Sequence, residues 1–269
     1  MLTRWLYYPI IAFFGLGIIG VLLVGFTALV TFPSLPSLDA LTNYQPKIPL
    51  RVYSAEGLLI GEFGEERRNV VTIDEVPTYL KQAILAAEDD RFYEHGGVDY
   101  IGVLRAAYSN FSAGSVQQGA STITMQVARN FFLTREKTLT RKFSEALLAF
   151  KIEHYLTKDE ILELYVNQIY LGQRSYGFAA AAQAYFDKPI NEISLAEAAM
   201  LAGLPKAPSS FNPVVNPDRA KIRQVYVLRR MNKLNHISDQ DLKDLEGKKV
   251  PVKQRSRSFA MHADYVAEM

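Results

Sequence analysis

The first feature of the hydrophobic pattern is an uninterrupted apolar stretch near the N-terminus. Residues 5–32 contain no charged side chain, and the flanking charges are those of Arg4 and Asp39. A helix needs roughly 20 apolar residues to cross a hydrocarbon layer about 30 Å thick, so this stretch predicts a transmembrane helix. A cleaved signal peptide would have an apolar region of only about 7–15 residues. A buried core helix of this length would be unusual, and we therefore expect a single-pass anchor.

The residues that flank the stretch predict its orientation. Arg4 and the α-amine carry positive charge, which favours a cytoplasmic N-terminus, so residues 1–4 are expected to form a cytoplasmic tail. Trp5 and Tyr8 lie where an aromatic belt would meet the membrane surface. Two prolines mark the end of the helix, and residues 33–49 predict a linker.

Beyond the linker the pattern becomes first strand-like and then helical. Short apolar runs broken by turn residues over positions 50–73 predict a small element of two or three β-strands. From Pro77 onward the apolar residues recur at helical spacing. We therefore predict a mainly α fold, in which the β element and the helices form one domain over residues 50–247.

Capping boxes identify two of the predicted helices. In this motif a Ser or Thr and a Glu three residues later satisfy backbone N–H groups at a helix start. The sequence contains Thr157 with Glu160 before residues 158–171, and Ser194 with Glu197 before residues 195–202. Gly172 and Gly203 follow as helix-ending residues.

The composition of the 269-residue chain excludes several classes of protein. There are 30 Lys and Arg residues against 28 Asp and Glu, a formal net charge of +2, which argues against a nucleic-acid partner. The chain has no cysteine. Disulfide bridges, thiolate metal sites and a cysteine nucleophile are therefore excluded.

Glu88 is the first candidate catalytic group. Leu80, Ile84 and Glu88 are spaced four residues apart, so the carboxylate continues an apolar helix stripe. Loss of hydration there would raise its pKa and make it a competent base near neutral pH. Alternatively, Glu88 caps the helix or pairs with Arg91. We expect Asp89 and its neighbour Asp90 to have solvated or hydrogen-bonding roles, and His95 to be a turn residue.

A second candidate site begins at Ser121, which follows a small polar loop. We expect Ser121 to be the N-cap of a helix that carries Thr122, Gln126 and Arg129 on one face. A helix N-terminus with an arginine one to two turns later forms an anion-binding site. The alternative is an ordinary capped helix with an exposed arginine.

A concentration of positive charge follows. Five cations lie within 14 residues, namely Arg129, Arg135, Lys137, Arg141 and Lys142. Such a cluster suits a diphosphate, although a solvated run of charges is the alternative. On the helix that follows, the spacing predicts a buried stripe of Phe143, Ala146, Leu147 and Phe150. Glu145 is expected to point away from it, within reach of Arg141 and Lys142.

Five ordered motifs resemble those of the bacterial peptidoglycan glycosyltransferases (family 51), a domain of class A penicillin-binding proteins. The motifs are Glu88-Asp89-x-x-Phe92-x-x-His95-x-Gly97, Gly119-Ala120-Ser121-Thr122-Ile123-Thr124-x-Gln126, Arg141-Lys142-x-x-Glu145, Lys158-x-Glu160-Ile161-Leu162-x-x-Tyr165-x-Asn167 and Arg223-x-x-x-Val227-Leu228. The resemblance implies a mainly α, lysozyme-like glycosyltransferase domain. It also implies polymerisation of lipid II into β-1,4 glycan strands, with release of undecaprenyl diphosphate, for cell wall synthesis.

The resemblance also implies roles for individual residues. Glu88 would be the general base and Glu145 the second catalytic carboxylate, orienting Arg141 or Lys142. Arg105, Arg129 and Lys137 would contact the donor diphosphate. The other residues implied in substrate binding are Asp89, Ser121, Gln126, Arg141 and Lys142.

Cofactor, partners and location follow from the same resemblance. No cofactor is certain, and a divalent cation such as Mg²⁺ at the donor diphosphate has no dedicated ligand set in the sequence. The expected partners are lipid II, the growing glycan strand, the membrane and proteins of the elongation machinery, with phosphoglycolipid inhibitors of the moenomycin type at the donor site. We expect the inner membrane, with the catalytic domain in the periplasm.

Other functions and boundaries stay open. A lysozyme-like hydrolase or lytic transglycosylase has the same expected fold, and a wall-binding scaffold without catalysis is a further alternative. A transpeptidase would need Ser-x-x-Lys and Lys-Thr-Gly, and neither occurs here. We therefore expect residues 248–269 to begin a linker to a missing transpeptidase domain. A complete monofunctional transferase is the alternative.

Overall fold

The computed structural model describes residues 2–42, 50–56, 59–63, 66–114, 119–133 and 138–252, and these are mainly helical. The α-helices are α1 (Leu2–Thr31), α2 (Asp39–Thr42), α3 (Thr78–Glu88), α4 (Tyr100–Ala113), α5 (Ile123–Phe132), α6 (Leu139–Tyr155), α7 (Lys158–Gln168), α8 (Phe178–Phe186), α9 (Leu195–Gly203), α10 (Pro217–Lys233) and α11 (Asp239–Gly247). The strands are β1 (Leu50–Tyr53), β2 (Leu59–Phe63), β3 (Arg67–Arg68) and β4 (Ser175–Tyr176). The predicted fold class is confirmed.

Helix α1 has no charged residue after Arg4. Residues Ile11–Ser34 have a mean hydropathy of 2.5, and the apolar window within them is 0% buried by the rest of the chain. Within the described residues this is the one helix long and apolar enough to cross a membrane.

The chain after α1 packs against the domain. Leu41 is 4% exposed, and Leu35 and Leu38 contact the hydrophobic core. The ammonium of Lys151 on α6 donates a hydrogen bond to the carbonyl of Pro36 at 2.9 Å. The described part of the predicted linker is therefore attached to the domain.

The β element forms two separate pairs. Strands β1 and β2 are antiparallel, with Leu50 opposite Phe63. Strand β3 instead pairs in parallel with β4, far away in the sequence, with Arg68 opposite Tyr176. The strands predicted within residues 50–73 are present, but the partner of β3 is not predictable from local pattern.

Two groups of helices form the core. Helices α3, α9 and α10 pack together, and α5 packs against α6 and α7. Helices α8 and α9 are rich in alanine, whose small side chains let neighbouring helices approach closely, and most of their residues are buried. The largest fully buried side chains include Leu80, Ile84, Phe92, Tyr165 and Tyr185.

Both predicted capping boxes are present. Thr157 and Glu160 cap α7, and Ser194 and Glu197 cap α9. Helix α7 ends at Gln168, three residues earlier than predicted, because the chain becomes extended at Ile169 before the turn that leads to β4.

Candidate active site

A cavity of about 490 Å³ is bordered by the end of α3, the start of α5 and one face of α10. This volume is typical of small-molecule sites. The described residues that line it include five cations and four carboxylates, which are Arg105, Arg129, Lys206, Arg223, Arg230, Glu88, Asp89, Asp90 and Asp99. Such a lining suits a charged ligand.

Glu88 is the last residue of α3. Leu80 and Ile84 are fully buried on the same helix, so their packing carries the carboxylate into the cavity wall. Its Oε2 accepts a hydrogen bond from Nε2 of Gln126 at 3.0 Å. Its Oε1 is buried and has no hydrogen-bond partner among the described residues. The guanidinium of Arg223 lies 3.8 Å from Oε1, too far for a hydrogen bond.

Burial makes Glu88 a weaker acid. Loss of hydration raises the pKa of its carboxyl and outweighs the hydrogen bond from Gln126 and the nearby positive charges, which lower it. A carboxylate of this kind is a stronger proton acceptor near neutral pH. The alternative pairing of Glu88 with Arg91 is wrong, because Arg91 forms ion pairs with Glu94 and Asp99.

Asp89 connects the end of α3 to the start of α5. Its side chain is buried, and Oδ2 accepts a hydrogen bond from the backbone N–H of Ile123 at 3.0 Å. Nε2 of His95 lies 3.0 Å from Oδ1. Asp89 therefore has the predicted hydrogen-bonding role, and its hydrogen-bond partners are other residues of the protein.

Helix α5 is capped by Thr122. Its hydroxyl accepts a hydrogen bond from the N–H of Met125 at 3.2 Å and donates one to the carbonyl of Gly97 at 2.6 Å. The prediction of Ser121 as the cap is wrong by one residue, because two adjacent hydroxyls precede the helix and the contact with Gly97 selects the second. Ser121 Oγ instead accepts a hydrogen bond from the ammonium of Lys142 at 2.6 Å.

Gln126 and Arg129 both lie on the side of α5 that lines the cavity, as the helical spacing predicts. Arg129 has no carboxylate partner among the described residues, and the same holds for Lys206 across the cavity. A cation in a cavity wall that has no carboxylate within ion-pair distance is available to an anionic ligand.

Arg105 is held by a shared carboxylate. Asp90 accepts a hydrogen bond from Arg105 at 3.2 Å and one from Arg230 at 2.8 Å. Burial disfavours the charge on Asp90, but the two arginines outweigh this effect and hold its pKa below the usual value. Arg230 also donates to the carbonyl of Ala86, which connects α10 to α3.

The sequence predicts that Glu145 lies on the exposed side of α6. In the structure its side chain is fully buried. Among residues 140–155 of this helix, the buried ones are Glu145, Leu148, Ala149 and Ile152, whereas Phe150 of the predicted stripe is 39% exposed. The prediction is wrong because two cations one turn earlier neutralise the carboxylate. Arg141 donates to its Oε1, and the ammonium of Lys142 lies 2.7 Å from its Oε2.

The cavity brings together most of the predicted site residues. Those that line it are Glu88, Asp89, Arg105, Ser121, Gln126 and Arg129. Lys142 reaches this group through Ser121, while Arg141 and Glu145 are not among the lining residues. Lys137 and Arg135 lie outside the described residues.

Sequence reasoning missed one whole wall of the cavity. Arg223, Tyr226 and Arg230 lie on one face of α10, and Lys206 follows α9. The spacing of three and four residues between Arg223, Tyr226 and Arg230 indicates a common helix face, and this pattern could have identified them. Arg223 occurs in the fifth motif, but it was not among the predicted site residues.

The described residues contain no group of three or more His, Asp or Glu side chains that could hold a metal ion. The acids of the cavity do not fit a Mg²⁺ site well, because Asp89 and Asp90 already accept hydrogen bonds from protein donors.

The sequence matches a known family. Residues 56–232 match the family model described as Transglycosylase, and the chain belongs to this family. It is 57% identical over 257 residues to penicillin-binding protein 1A of Neisseria gonorrhoeae, covering 96% of this chain and 32% of the relative. It is 52% identical over 237 residues to penicillin-binding protein 1A of Pseudomonas aeruginosa, covering 88% of this chain and 29% of that protein.

The chain thus spans about a third of the length of these relatives. Among solved structures, penicillin-binding protein 1A from Haemophilus influenzae matches with a TM-score of 0.49 and 32% identity. That match covers 84% of this chain and 24% of the other.

Proposed function

We propose that this chain is a peptidoglycan glycosyltransferase that polymerises lipid II into β-1,4 glycan strands and releases undecaprenyl diphosphate. The observation that carries the proposal is the combination of groups in one cavity. A buried carboxylate, Glu88, lies among cations that include two without carboxylate partners among the described residues, Arg129 and Lys206. Membership of the Transglycosylase family supports the same class of reaction.

The proposed reaction joins C1 of the donor MurNAc to the 4-hydroxyl of the acceptor GlcNAc. Glu88 removes the hydroxyl proton as the oxygen attacks C1, and the bond between C1 and the diphosphate oxygen breaks. The electron pair of that bond remains on the diphosphate, which leaves as an anion. Positive charge beside it therefore stabilises the transition state, and Arg129 and Lys206 supply such charge.

The roles of five further residues stay as predicted from the motifs, and those of three others are revised. Arg105 belongs to the donor-diphosphate contacts, together with Lys137. Ser121, Gln126 and Lys142 belong to the donor side of the site. Asp89 and Glu145, predicted in substrate binding and catalysis, instead hold the wall in place, because their carboxylate oxygens are bound to other protein groups. Arg141, predicted in substrate binding, acts with them through its ion pair with Glu145.

The placement of Glu145 argues against a hydrolase. Hydrolysis of a glycosidic bond uses an acid and a second carboxylate that flank the bond. Glu145 is 0% exposed, is paired with two cations and is absent from the cavity lining. Several cations in the cavity do not assist hydrolysis of a glycosidic bond, but they stabilise a diphosphate leaving group.

The proposal is tested by following polymerisation of labelled lipid II by the full chain in detergent. Glu88→Gln keeps the shape of the side chain and loses the base, so turnover should fall by about 10²-fold to 10⁴-fold. The matched control is Glu192→Gln, which changes an exposed glutamate outside the cavity lining and should retain wild-type turnover.

The products separate the rival functions. A transferase yields glycan polymer and a diphospholipid, and a hydrolase yields shortened glycans from preformed strands. Near wild-type polymerisation by Glu88→Gln would refute the role of Glu88 as the base. Absence of polymer with the wild-type chain as well as with the variants would refute the transferase activity itself.

We further propose the membrane arrangement that goes with this activity. Helix α1 spans the inner membrane, residues 1–4 lie in the cytoplasm, and the catalytic domain faces the periplasm, where the elongation machinery acts. Moenomycin-type phosphoglycolipids would occupy the donor side, because their phosphate resembles the leaving group. The mean hydropathy of 2.5 over residues Ile11–Ser34 supports the span.

A further inference from the structure

Arg223 lies on α10 and lines the cavity. Among the described residues it is the one cation within 4 Å of Glu88. Its guanidinium is 3.8 Å from Oε1, the carboxylate oxygen without a hydrogen-bond partner among the described residues. The side chain of Arg223 is only 13% exposed. Water therefore screens this ion pair less than it would screen a pair at the surface.

Three contacts fix the guanidinium in this position. Nε donates to the carbonyl of Gly203 at 3.3 Å, and the guanidinium carbon lies 4.3 Å from the ring centre of Tyr226 and 5.9 Å from that of Phe211. The absence of a side chain at Gly203 is required, because a Cβ there would lie 2.8 Å from Cγ of Arg223. The arginine is thus held by its surroundings and does not depend on Glu88 for its position.

Several elements present polar or charged groups to Glu88. Helix α5 contributes Gln126 and Arg129, the turn after α9 contributes Lys206, α10 contributes Arg223, and α7 contributes the buried hydroxyl of Tyr165. Burial raises the pKa of Tyr165 well above its ordinary value, and the charge on Glu88 adds to this effect, so the phenol stays neutral. After burial and the Gln126 hydrogen bond, Arg223 is the next influence on Glu88, ahead of Lys206 and Arg129.

We propose that Arg223 is a positioning residue that supplies the counter-charge for the buried carboxylate of Glu88, and that Gly203 and Tyr226 hold it there for this purpose. The inference rests on the proposed function, in which Glu88 is the base. Without Arg223, the carboxylate would face the cost of burial with weaker compensation and would bind its proton up to a higher pH.

The first test measures the titration of Glu88 directly, by carboxyl ¹³C NMR on the full chain in detergent, with the signal assigned by its loss in Glu88→Gln. An opposite charge at this distance lowers a carboxyl pKa by about 1–3 units, so Arg223→Gln should move the Glu88 titration up by about one unit or more. Arg223→Lys should give an intermediate value, because it restores charge without the planar stacking.

Two further variants complete the set. Gly203→Ala pushes Arg223 aside while its charge remains, and it should shift the Glu88 titration in the same direction by a smaller amount. Arg229→Gln removes a cation from the exposed side of α10, where Arg229 pairs with Glu246, and should leave the Glu88 titration unchanged. An unchanged titration in both Arg223→Gln and Gly203→Ala would overturn the inference.

The second test records polymerisation against pH. The acidic limb of the pH–rate profile for Arg223→Gln should move up with the Glu88 titration, and activity should recover at higher pH. A uniform loss of rate at all pH values, with the limb in place, would mean a merely structural role and would also overturn the inference. If the NMR titration shifts but Glu88→Gln still polymerises, the inference stands and the proposed function fails.

Discussion

At the scale of single residues, Glu88 shows how a site can cost stability. Its carboxyl has an ordinary pKa of 4.5, and burial raises that value in the folded protein. The unfolded chain therefore releases this proton more readily than the folded one, so ionisation of Glu88 disfavours folding as the pH rises above about 4.5.

This gives a stability prediction for Glu88→Gln, which cannot ionise. Relative to wild type, its melting temperature should be similar near pH 4 and should become higher as the pH rises towards neutrality. Thermal unfolding followed by circular dichroism between pH 4 and 8 measures the difference. A variant that is less stable than wild type at pH 7 would contradict the burial penalty assigned to Glu88.

Arg129 provides a second prediction at this scale. If it binds the leaving diphosphate, Arg129→Ala should remove a charge-assisted contact worth roughly 1.5–3 kcal/mol, which is about a 10-fold to 150-fold loss of affinity for a diphospholipid analogue. Arg129→Lys should restore only part of this, since a point charge cannot bind two oxygens in the same way. Unchanged affinity in the alanine variant would show that Arg129 is a solvated charge that does not bind the diphosphate.

Residue patterns predicted some of these side chains and not others. Glu88 was predictable because it follows Leu80 and Ile84 on one helix stripe, which is local information. The burial of Glu145 was not, since the side of α6 that is buried is decided by its packing against α5. The same limit applies to Arg223, whose proximity to Glu88 arises from the packing of α10 on α3 across more than 130 residues of sequence.

At the scale of elements, the loop after α3 is fixed by close backbone packing. Gly97 has a φ of +96°, and a Cβ there would lie 2.9 Å from the backbone carbonyl of Ala149 on α6. The carbonyl oxygen of Gly97 itself accepts a hydrogen bond from the hydroxyl of Thr122, the residue that caps α5. The loop therefore links three helices that surround the site.

Gly97→Ala should consequently lower stability by about 1–3 kcal/mol, from backbone strain and displacement of α6. Gly96→Ala is the matched control, because nothing lies within 4 Å of a Cβ at Gly96 and its backbone has no positive φ. Chemical unfolding of both variants measures the difference. Equal stability of the two would show that the contact with Ala149 relaxes without cost.

Elements with local start signals were the most predictable. The two capping boxes placed the beginnings of α7 and α9 correctly, because the signal lies within four residues. The pairing of β3 with β4 joins segments more than 100 residues apart, and no local pattern reports such a contact.

At the scale of the whole molecule, the apolar helix and the domain are closely connected. Leu41 is buried in the core, and Pro36 accepts a hydrogen bond from Lys151, so the chain is attached to the domain within ten residues of the end of α1 at Thr31. A short attachment of this kind limits how far the cavity can move from α1, and therefore from the membrane in the proposed arrangement.

The last prediction concerns this connection. Deletion of residues 2–31 should leave polymerisation of detergent-dispersed lipid II near the wild-type rate, because the cavity and its supporting helices lie in residues beyond the deletion. With lipid II in liposomes the deletion variant should be slower, since α1 confines the enzyme to the surface that holds the substrate and so raises its effective concentration. Equal rates for the two proteins in liposomes would refute this role of α1, and a loss of rate in detergent would indicate instead that α1 stabilises the domain.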